Sequence, residues 1–123
     1  PRSNLKVILW HQGEHDAINN NLNYEYSLDK FINDLRTDLS DNSIPFILGG
    51  MVPYWVDKQS NRINFQNIIS ETPFRIDNTA YANPLLPFKI VKTINNHDTV
   101  HFNSIGQREM GRRYFKEYLN LIQ

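Results

Sequence analysis

The chain has 123 residues, which is enough for one domain and too few for two. Its 13 Lys and Arg residues balance its 13 Asp and Glu residues, so the net charge is near zero. This balance argues against a nucleic-acid-binding protein and a polybasic membrane-surface protein, because both need a basic surface. The chain has no Cys, which excludes disulfide frameworks, Cys zinc sites and thiol nucleophiles.

No signal-peptide pattern is visible in the first residues of the chain. Its first residue is Pro1 rather than Met, and no apolar segment of a signal peptide follows. No apolar run approaches the length of a membrane span. We therefore expect the chain to begin inside a longer reading frame.

The first half of the chain predicts two buried strands separated by a helix. Residues 6–10 form a short run rich in β-branched residues, which is typical of a strand buried on both faces. Residues 11–16 are polar and predict a loop. Ser27 can cap a helix over residues 27–40, because an apolar stripe follows at helical spacing: Leu28, Phe31, Ile32, Leu35 and Leu39. Residues 45–51 predict the second strand, with glycines at its exit.

The second half of the chain is less regular until its last segment. Residues 53–55 predict an aromatic loop, and residues 60–70 predict a further helix. Residues 88–94 are apolar enough to predict a third strand. Ser104 and Gln107 form the S-x-x-Q pattern of a capping box at the start of a final helix. In that helix, Gly106 and Gly111 predict a close approach to the sheet.

The alternation of strands and helices predicts an α/β fold. Strand–helix–strand units favour right-handed crossovers and a parallel sheet covered by helices on both faces. In such folds the functional site lies at the carboxyl ends of the strands. Two polar clusters stand at suitable places, residues 11–16 after the first strand and residues 97–103 before the final helix.

The second cluster contains a carboxylate three residues before an imidazole. On one turn of chain, Asp98 can accept a hydrogen bond from Nδ1 of His101 and leave Nε2 as an outward-facing base. His97 is a weaker candidate for the base, because its immediate neighbour Asp98 points away from it in extended backbone. The spacing taken alone favours a simpler interpretation, in which Asp98 caps a turn and His101 is a surface residue.

The first cluster could contribute to acyl-transfer chemistry. The amide of Gln12 can donate to a developing oxyanion, and Gly13 would allow the backbone to approach a substrate. Glu14 can accept a hydrogen bond from a backbone N–H or from a histidine. The alternative is a polar loop held together by its own hydrogen bonds.

Together the two clusters resemble a known family. The string W-H-Q-G-E-x-D-A, followed later by D-x-x-H-F, is similar to the sialate O-acetylesterase and acetyl xylan esterase branch (carbohydrate esterase family 6-like) of the SGNH hydrolases, over essentially the whole chain. The resemblance implies a three-layer α/β/α sandwich with a parallel sheet, flavodoxin-like and incomplete in this chain. It also implies a serine hydrolase that removes acetyl groups from sugar hydroxyls through an acyl-serine intermediate, without a metal or another cofactor.

The resemblance assigns roles to the residues of both motifs. His101 would be the general base and Asp98 its partner, with Glu14 as a second candidate for that partner. Gln12 would donate to the oxyanion. Three further residues would support the loop or line the substrate pocket: Trp10, His11 and Gly13.

The nucleophilic serine that this family carries near the start of its domain has no counterpart in the chain. Ser3 precedes the first predicted strand and therefore lies at the wrong end of the sheet. We expect an amino-terminal half of the domain, or a partner chain, to supply the nucleophile and to cover the sheet. The partner of the assembled enzyme would be an acetylated carbohydrate.

Two other functions remain open at this point. One is a non-catalytic carbohydrate-binding half-domain, in which Tyr54, Trp55 and Tyr81 would stack on sugar rings. The other is a zinc peptidase, because residues 11–15 also fit the H-x-x-E-H pattern, although that pattern needs a helix there. A nucleotide-binding domain is disfavoured, since no phosphate-binding glycine motif is present.

Overall fold

A computed structural model describes residues 3–92 and 97–123. In this part of the chain, helices and strands follow one another in the order β1 (Ile8–Trp10), α1 (Glu14–Ile18), α2 (Tyr24–Asp38), β2 (Phe46–Gly49), α3 (Pro53–Val56), α4 (Ser60–Arg75), β3 (Thr79–Ala82) and α5 (Ser104–Ile122).

The three strands form one parallel sheet in the order β1-β2-β3. Trp10 contacts Phe31 of α2, whereas Leu9 lines a groove with residues of α5. Because neighbouring residues of a strand point to opposite faces, α2 and α5 lie on opposite sides of the sheet. The predicted α/β fold is therefore confirmed, as an incomplete α/β/α sandwich with helices on both faces.

The predicted third strand is wrong. The strand that pairs with β2 is β3 (Thr79–Ala82), a short segment of small residues without a long apolar run. Residues 88–92 form no strand, and residues 93 and 94 of the prediction lie outside the described residues. The N–H of Ile90 donates to the carbonyl of Pro84 at 2.9 Å, so this segment folds back on the preceding loop instead of joining the sheet.

Both predicted helix caps are also wrong. Helix α2 begins at Tyr24, which places Ser27 inside its first turn. The cap of α5 is Asn103, whose side chain accepts from the N–H of Gly106 at 2.9 Å. Gln107 donates from Nε2 to the carbonyl of Phe102 at 3.1 Å, so the Ser104–Gln107 capping box does not form.

Three helices differ from the prediction in extent. Helix α1 occupies part of the predicted polar loop, and the predicted aromatic loop is the single turn of α3. Helix α4 continues to Arg75. The expected approach of α5 to the sheet through its glycines is wrong, because Gly106 packs on Phe102 and Ile90, and nothing lies within 4 Å of a Cβ built on Gly111.

The core lies between the central strand and its flanking helices. All four residues of β2 are buried, and the predicted stripe of α2 contributes Leu28 and Ile32 to the core. The same stripe leaves Phe31 39% exposed and Leu39 43% exposed, so it is only partly covered. The prediction that β1 is buried on both faces is wrong, because β1 pairs only with β2 in the described sheet and Leu9 is 56% exposed. In the described part of the chain, no helix combines the length and apolar character needed to cross a membrane.

Arg36 ties the carboxyl end of α2 to the two segments that lead into β2 and β3. It is buried, and its guanidinium donates to the carbonyls of Ile44, Asp77 and Asn78 at 2.8–3.1 Å. The planar fork of an arginine can serve several carbonyls at once, which a lysine cannot. Arg36 therefore fixes the entry of both strands.

We expect Arg36→Ala to lower the free energy of unfolding by about 2–4 kcal/mol, because three backbone carbonyls lose their charged donor. Urea denaturation of the chain measures this change. The matched control is Arg108→Ala, which removes an exposed arginine of α5 and should change the value by no more than about 0.5 kcal/mol. Equal losses in the two variants would contradict the role of Arg36.

Candidate active site

Asp98 and His101 contact each other in the loop that precedes α5. The Oδ2 atom of Asp98 lies 2.7 Å from Nδ1 of His101. Its Oδ1 atom accepts from the backbone N–H groups of Val100 at 2.9 Å and His101 at 3.0 Å. The carboxylate thus closes the turn, as the simpler interpretation of the sequence predicted, and also holds the imidazole, as the interpretation as a catalytic pair predicted. With Nδ1 occupied, Nε2 is the nitrogen free to accept a proton.

These contacts stabilise the ionised form of Asp98. The backbone N–H groups of His101 and Val100, followed by the His101 side chain, lower the pKa of Asp98 to about 2. The side chain of His101 is 77% exposed, so the pair lies at the surface. Asp98 is therefore a carboxylate throughout the range in which an imidazole titrates.

A second imidazole–carboxylate pair lies close to the first. Oε1 of Glu14 is 3.6 Å from Nε2 of His11. Burial opposes the ionisation of Glu14, but the His11 side chain, a backbone hydrogen bond and the charges of His11 and His101 together lower its pKa. Asp98 is therefore the carboxylate that contacts His101, and Glu14 contacts His11.

His11 and His101 line one cavity of about 270 Å³, which we call the histidine cavity. Its wall is mostly apolar and comes from the end of β1, the loop before α5 and α5 itself: His11, Val100, His101, Phe102, Gln107, Met110, Gly111 and Tyr114. Exposed His97 is not among these residues. The cavity brings two of the predicted site residues together at the predicted edge of the sheet.

Tyr114 lines this cavity, and no pattern in the sequence indicates its role. Its hydroxyl donates to the carbonyl of Trp10 at 2.8 Å and lies 3.4 Å from Nδ1 of His11. A Cβ on Gly49 would stand 1.9 Å from the Tyr114 oxygen. Glycine at the end of β2 is therefore required for Tyr114 to reach β1.

Gln12 and Trp10 line a different cavity, of about 300 Å³, on the side of α2. Nε2 of Gln12 donates to Oδ2 of Asp16 at 2.8 Å, and the Tyr24 hydroxyl donates to the Gln12 carbonyl at 3.2 Å. The Trp10 ring packs on Phe31 with 4.8 Å between ring centroids. The structure therefore separates these two predicted site residues from the histidine cavity.

Gly13 forms the turn from β1 into α1. Its φ of 147° is one that residues with a side chain rarely adopt. The space beside its α-carbon is filled, because a Cβ there would meet Ile69 Cδ1 and the Tyr24 hydroxyl at 3.0 Å. The glycine therefore serves the turn, and the approach of substrate that the sequence suggested is not open at this side of the residue.

The zinc-peptidase pattern does not form its required geometry. That pattern needs both histidines on one helix, but α1 begins only at Glu14, which leaves His11 before the helix and His15 on it. Within residues 3–92 and 97–123, no group of three or more His, Asp or Glu side chains is arranged to hold a metal ion.

The three aromatic residues considered for sugar stacking have other contacts. Trp55 is 3% exposed and lies under the guanidinium of Arg62, 3.7 Å from the ring centroid. The hydroxyl of Tyr81 accepts from Gln66 at 2.9 Å, and that of Tyr54 donates to the carbonyl of His101. These contacts assign the three rings to packing and support rather than to an open stacking surface.

The comparison with known families now adds to this geometry. A family model described as carbohydrate esterase, sialic acid-specific acetylesterase matches residues 2–120. The chain belongs to this family. The resemblance to the sialate O-acetylesterase branch is thereby confirmed, and membership supports an esterase-type enzyme acting on carbohydrates. A search of curated proteins finds no match.

We expect the carboxyl of Asp98 to titrate near pH 2, and His101→Gln to raise this pKa while leaving it below the ordinary 3.8. The substitution removes the imidazole contact but keeps the backbone N–H donors, which contribute more. Because the folded pKa is depressed, this stabilisation is present above about pH 3.8 and is lost as the pH falls through about 2. Carbon-13 NMR of the carboxyl measures the titration.

The control is His15→Gln, which removes an exposed histidine of α1 and should leave the Asp98 titration unchanged. A midpoint near 3.8 in the unsubstituted chain would contradict the observed hydrogen bonds of this turn.

Proposed function

We propose that this carbohydrate esterase is an O-acetylesterase in which His101 is the general base and Asp98 its orienting partner. The supporting observation is the 2.7 Å contact between Asp98 Oδ2 and His101 Nδ1, which leaves Nε2 as the acceptor. This is the arrangement that a serine hydrolase needs in two of its three catalytic groups. The substrate would be an acetylated sugar, in line with the family.

In the proposed reaction, a serine hydroxyl attacks the acetyl carbonyl while Nε2 of His101 takes its proton. The bond between the acetyl carbon and the sugar oxygen then breaks, and His101 delivers the proton to that oxygen. A water molecule, deprotonated by the same nitrogen, hydrolyses the acyl-serine and releases acetate. Asp98 stabilises the imidazolium that forms in each half of the reaction.

We keep Gln12 as the proposed oxyanion donor. Asp16 accepts one of the two amide hydrogens on its Nε2 and so fixes the orientation of the side chain. The second amide hydrogen of Nε2 is left to donate to the oxyanion in the assembled site. Glu14 would then support His11 beside the reacting group rather than act on His101.

The nucleophile is proposed to come from outside residues 1–123. None of the described residues that line the histidine cavity is Ser, Thr or Cys. Ser27 lines the cavity of Gln12, which does not include His101. We therefore propose that the hydroxyl beside His101 is supplied by another segment.

The exposed edge of β1 is the place where such a segment would dock. β1 pairs only with β2 in the described sheet, and Leu9 is 56% exposed. Beside it runs an apolar groove of about 150 Å³, which we call the β1 groove, lined by Val7, Leu9, Gly111, Tyr114, Phe115 and Tyr118. Gly111 and Tyr114 also line the histidine cavity, so the groove leads to His101.

We infer that the occupant is a strand from an amino-terminal part of the same protein, parallel to β1. A parallel strand would bring its carboxyl end to the same edge as His11 and could present a serine there. The free space over Gly111 would admit one of its side chains. A separate partner chain, or a second copy of this chain, is the alternative occupant.

The 123-residue chain alone should show no turnover of acetylated sialosides or acetylated xylo-oligosaccharides and no labelling by a fluorophosphonate. A longer protein that carries the proposed amino-terminal segment should show both, with the label on a serine of that segment. In that protein, His101→Gln should lower kcat by at least about 10³-fold, because the proton of the nucleophile then has no acceptor.

The matched control for this experiment is His15→Gln, which should retain full activity. Turnover by the short chain that survives His101→Gln would exclude the proposed mechanism. Calorimetric binding of the sugars without turnover by the longer protein would instead favour a carbohydrate-binding domain.

If a segment docks in the β1 groove, substitutions of two exposed phenylalanines should affect the stability of the longer protein differently. Phe115 lies in the β1 groove and is 60% exposed, whereas Phe74 lies on α4 and is 89% exposed. In the short chain, Phe115→Glu and Phe74→Glu should each change the free energy of unfolding by no more than about 0.5 kcal/mol. In the longer protein, only Phe115→Glu should be strongly destabilising, by about 2 kcal/mol or more, because it buries a charge.

Denaturation of the two variants in both lengths of protein measures this difference. Equal changes in the free energy of unfolding for the two substitutions in the longer protein would mean that the docking segment does not lie in the β1 groove. Size-exclusion chromatography that gives a compact monomer for the short chain would also argue against an apolar edge in need of cover.

A further inference from the structure

The loop that carries Asp98 and His101 depends on distant contacts for its position. The two side chains are 45% and 77% exposed, so packing of the side chains themselves does not fix them. On the carboxyl side, Phe102 is buried and its carbonyl accepts from Gln107 at 3.1 Å. The carbonyl of His101 itself accepts from the hydroxyl of Tyr54, which is 47 residues away in the chain.

Tyr54 stands on a turn that is itself firmly held. It belongs to α3, which follows the exit of β2, and its neighbours Pro53, Trp55 and Val56 are buried. Arg62 of α4 stacks on the Trp55 ring and donates from Nη1 to the Trp55 carbonyl at 2.8 Å. The Tyr54 hydroxyl is therefore an anchor fixed to the sheet and to α4.

We propose that Tyr54 is a positioning residue for the Asp98–His101 pair. Its hydroxyl fixes the backbone carbonyl of His101 and thereby keeps the turn in which Asp98 accepts from the Val100 and His101 N–H groups and from the imidazole. This role rests on the proposed function, because it gains a catalytic meaning only if His101 is the base.

The chemistry of the contact fits a permanent anchor. A carbonyl oxygen only accepts, so the phenol has to keep its proton to hold it. Burial, followed by the negative charge of Asp98, raises the pKa of Tyr54. The hydroxyl therefore stays a donor across the pH range in which a hydrolase of this type works.

The nearby ion pair is a weaker link. Lys89 contacts Asp57 at the end of α3, but their side chains are 48% and 52% exposed. Exposed pairs of this kind contribute little and are screened by salt. The Tyr54 hydrogen bond is the direct connection between α3 and the residue that carries the base.

The test is Tyr54→Phe in the 123-residue chain, which keeps the aromatic ring and removes only the hydroxyl. Nitrogen-15 NMR of the His101 ring reports which nitrogen carries the proton in neutral imidazole. We expect the ratio of the Nδ1–H form to the Nε2–H form to fall by about three- to tenfold, as for the loss of one hydrogen bond. The pKa of Asp98 should rise from about 2 toward 3.8.

The matched control is Tyr26→Phe, at a tyrosine of α2 that is 69% exposed, and it should change neither quantity. A purely structural role would lower stability while leaving the tautomer ratio and the Asp98 titration as they are, and that result would overturn the proposal. So would an unchanged spectrum in a folded Tyr54→Phe chain.

In the longer protein, Tyr54→Phe should lower kcat about 10- to 100-fold with little change in KM, because the base is misplaced rather than lost. If Tyr54→Phe changes the NMR signals but the unsubstituted longer protein has no esterase activity, the positioning role of Tyr54 stands and the esterase mechanism is rejected. Full activity of the variant, despite a changed spectrum, would reject Tyr54 as a positioning residue for catalysis.

Discussion

The absence of a side chain at Gly49 is the constraint on which the candidate site depends. Gly49 ends the central strand, and the Tyr114 hydroxyl occupies the space where its Cβ would lie, at 1.9 Å. Because this space is free of a side chain, the Tyr114 hydroxyl can reach the Trp10 carbonyl at 2.8 Å and connect α5 to the end of β1. Since the His101 loop leads directly into α5, the contact also sets the distance between His101 and His11. The wall that Tyr114 contributes to the histidine cavity therefore depends on the absence of a side chain at Gly49.

The second level of organisation is local, and it arises because Asp98 precedes His101 by three residues. A carboxylate that accepts from two backbone N–H groups and one imidazole fixes both the turn and the ring. The turn alone, however, would place the base on a surface loop. Phe102, Gln107 and Tyr54 connect that loop to the rest of the fold, and each does so through a backbone carbonyl or a buried ring.

The parts of this design that the sequence predicted are those that depend on short spacing or strong periodicity. The contact between Asp98 and His101, the presence of strands β1 and β2 and the α/β architecture belong to this group, although only β2 is buried as predicted. The third strand was missed because Thr79–Ala82 is short and made of small residues, while the more apolar residues 88–92 turn back on Pro84.

Tyr114 and Tyr54 were missed as parts of the site because their partners lie 104 and 47 residues away. The sequence also did not predict the separation of Gln12 from the histidine cavity, because the Gln12 amide donates to Asp16 of the following helix α1.

The exposure of His101 connects the uncovered edge of β1 with the candidate site. In the structure described, His101 is 77% exposed to water, where charges interact weakly, so an imidazolium there would gain little from Asp98 until the site is covered. A strand in the β1 groove would exclude water from the same cavity in which it presents the nucleophile, so that each electrostatic contact there becomes stronger. The apolar walls contributed by Met110, Phe102 and Val100 fit a cavity that is dry when assembled. In the proposed mechanism, covering the edge of β1 would therefore also activate His101 as the base.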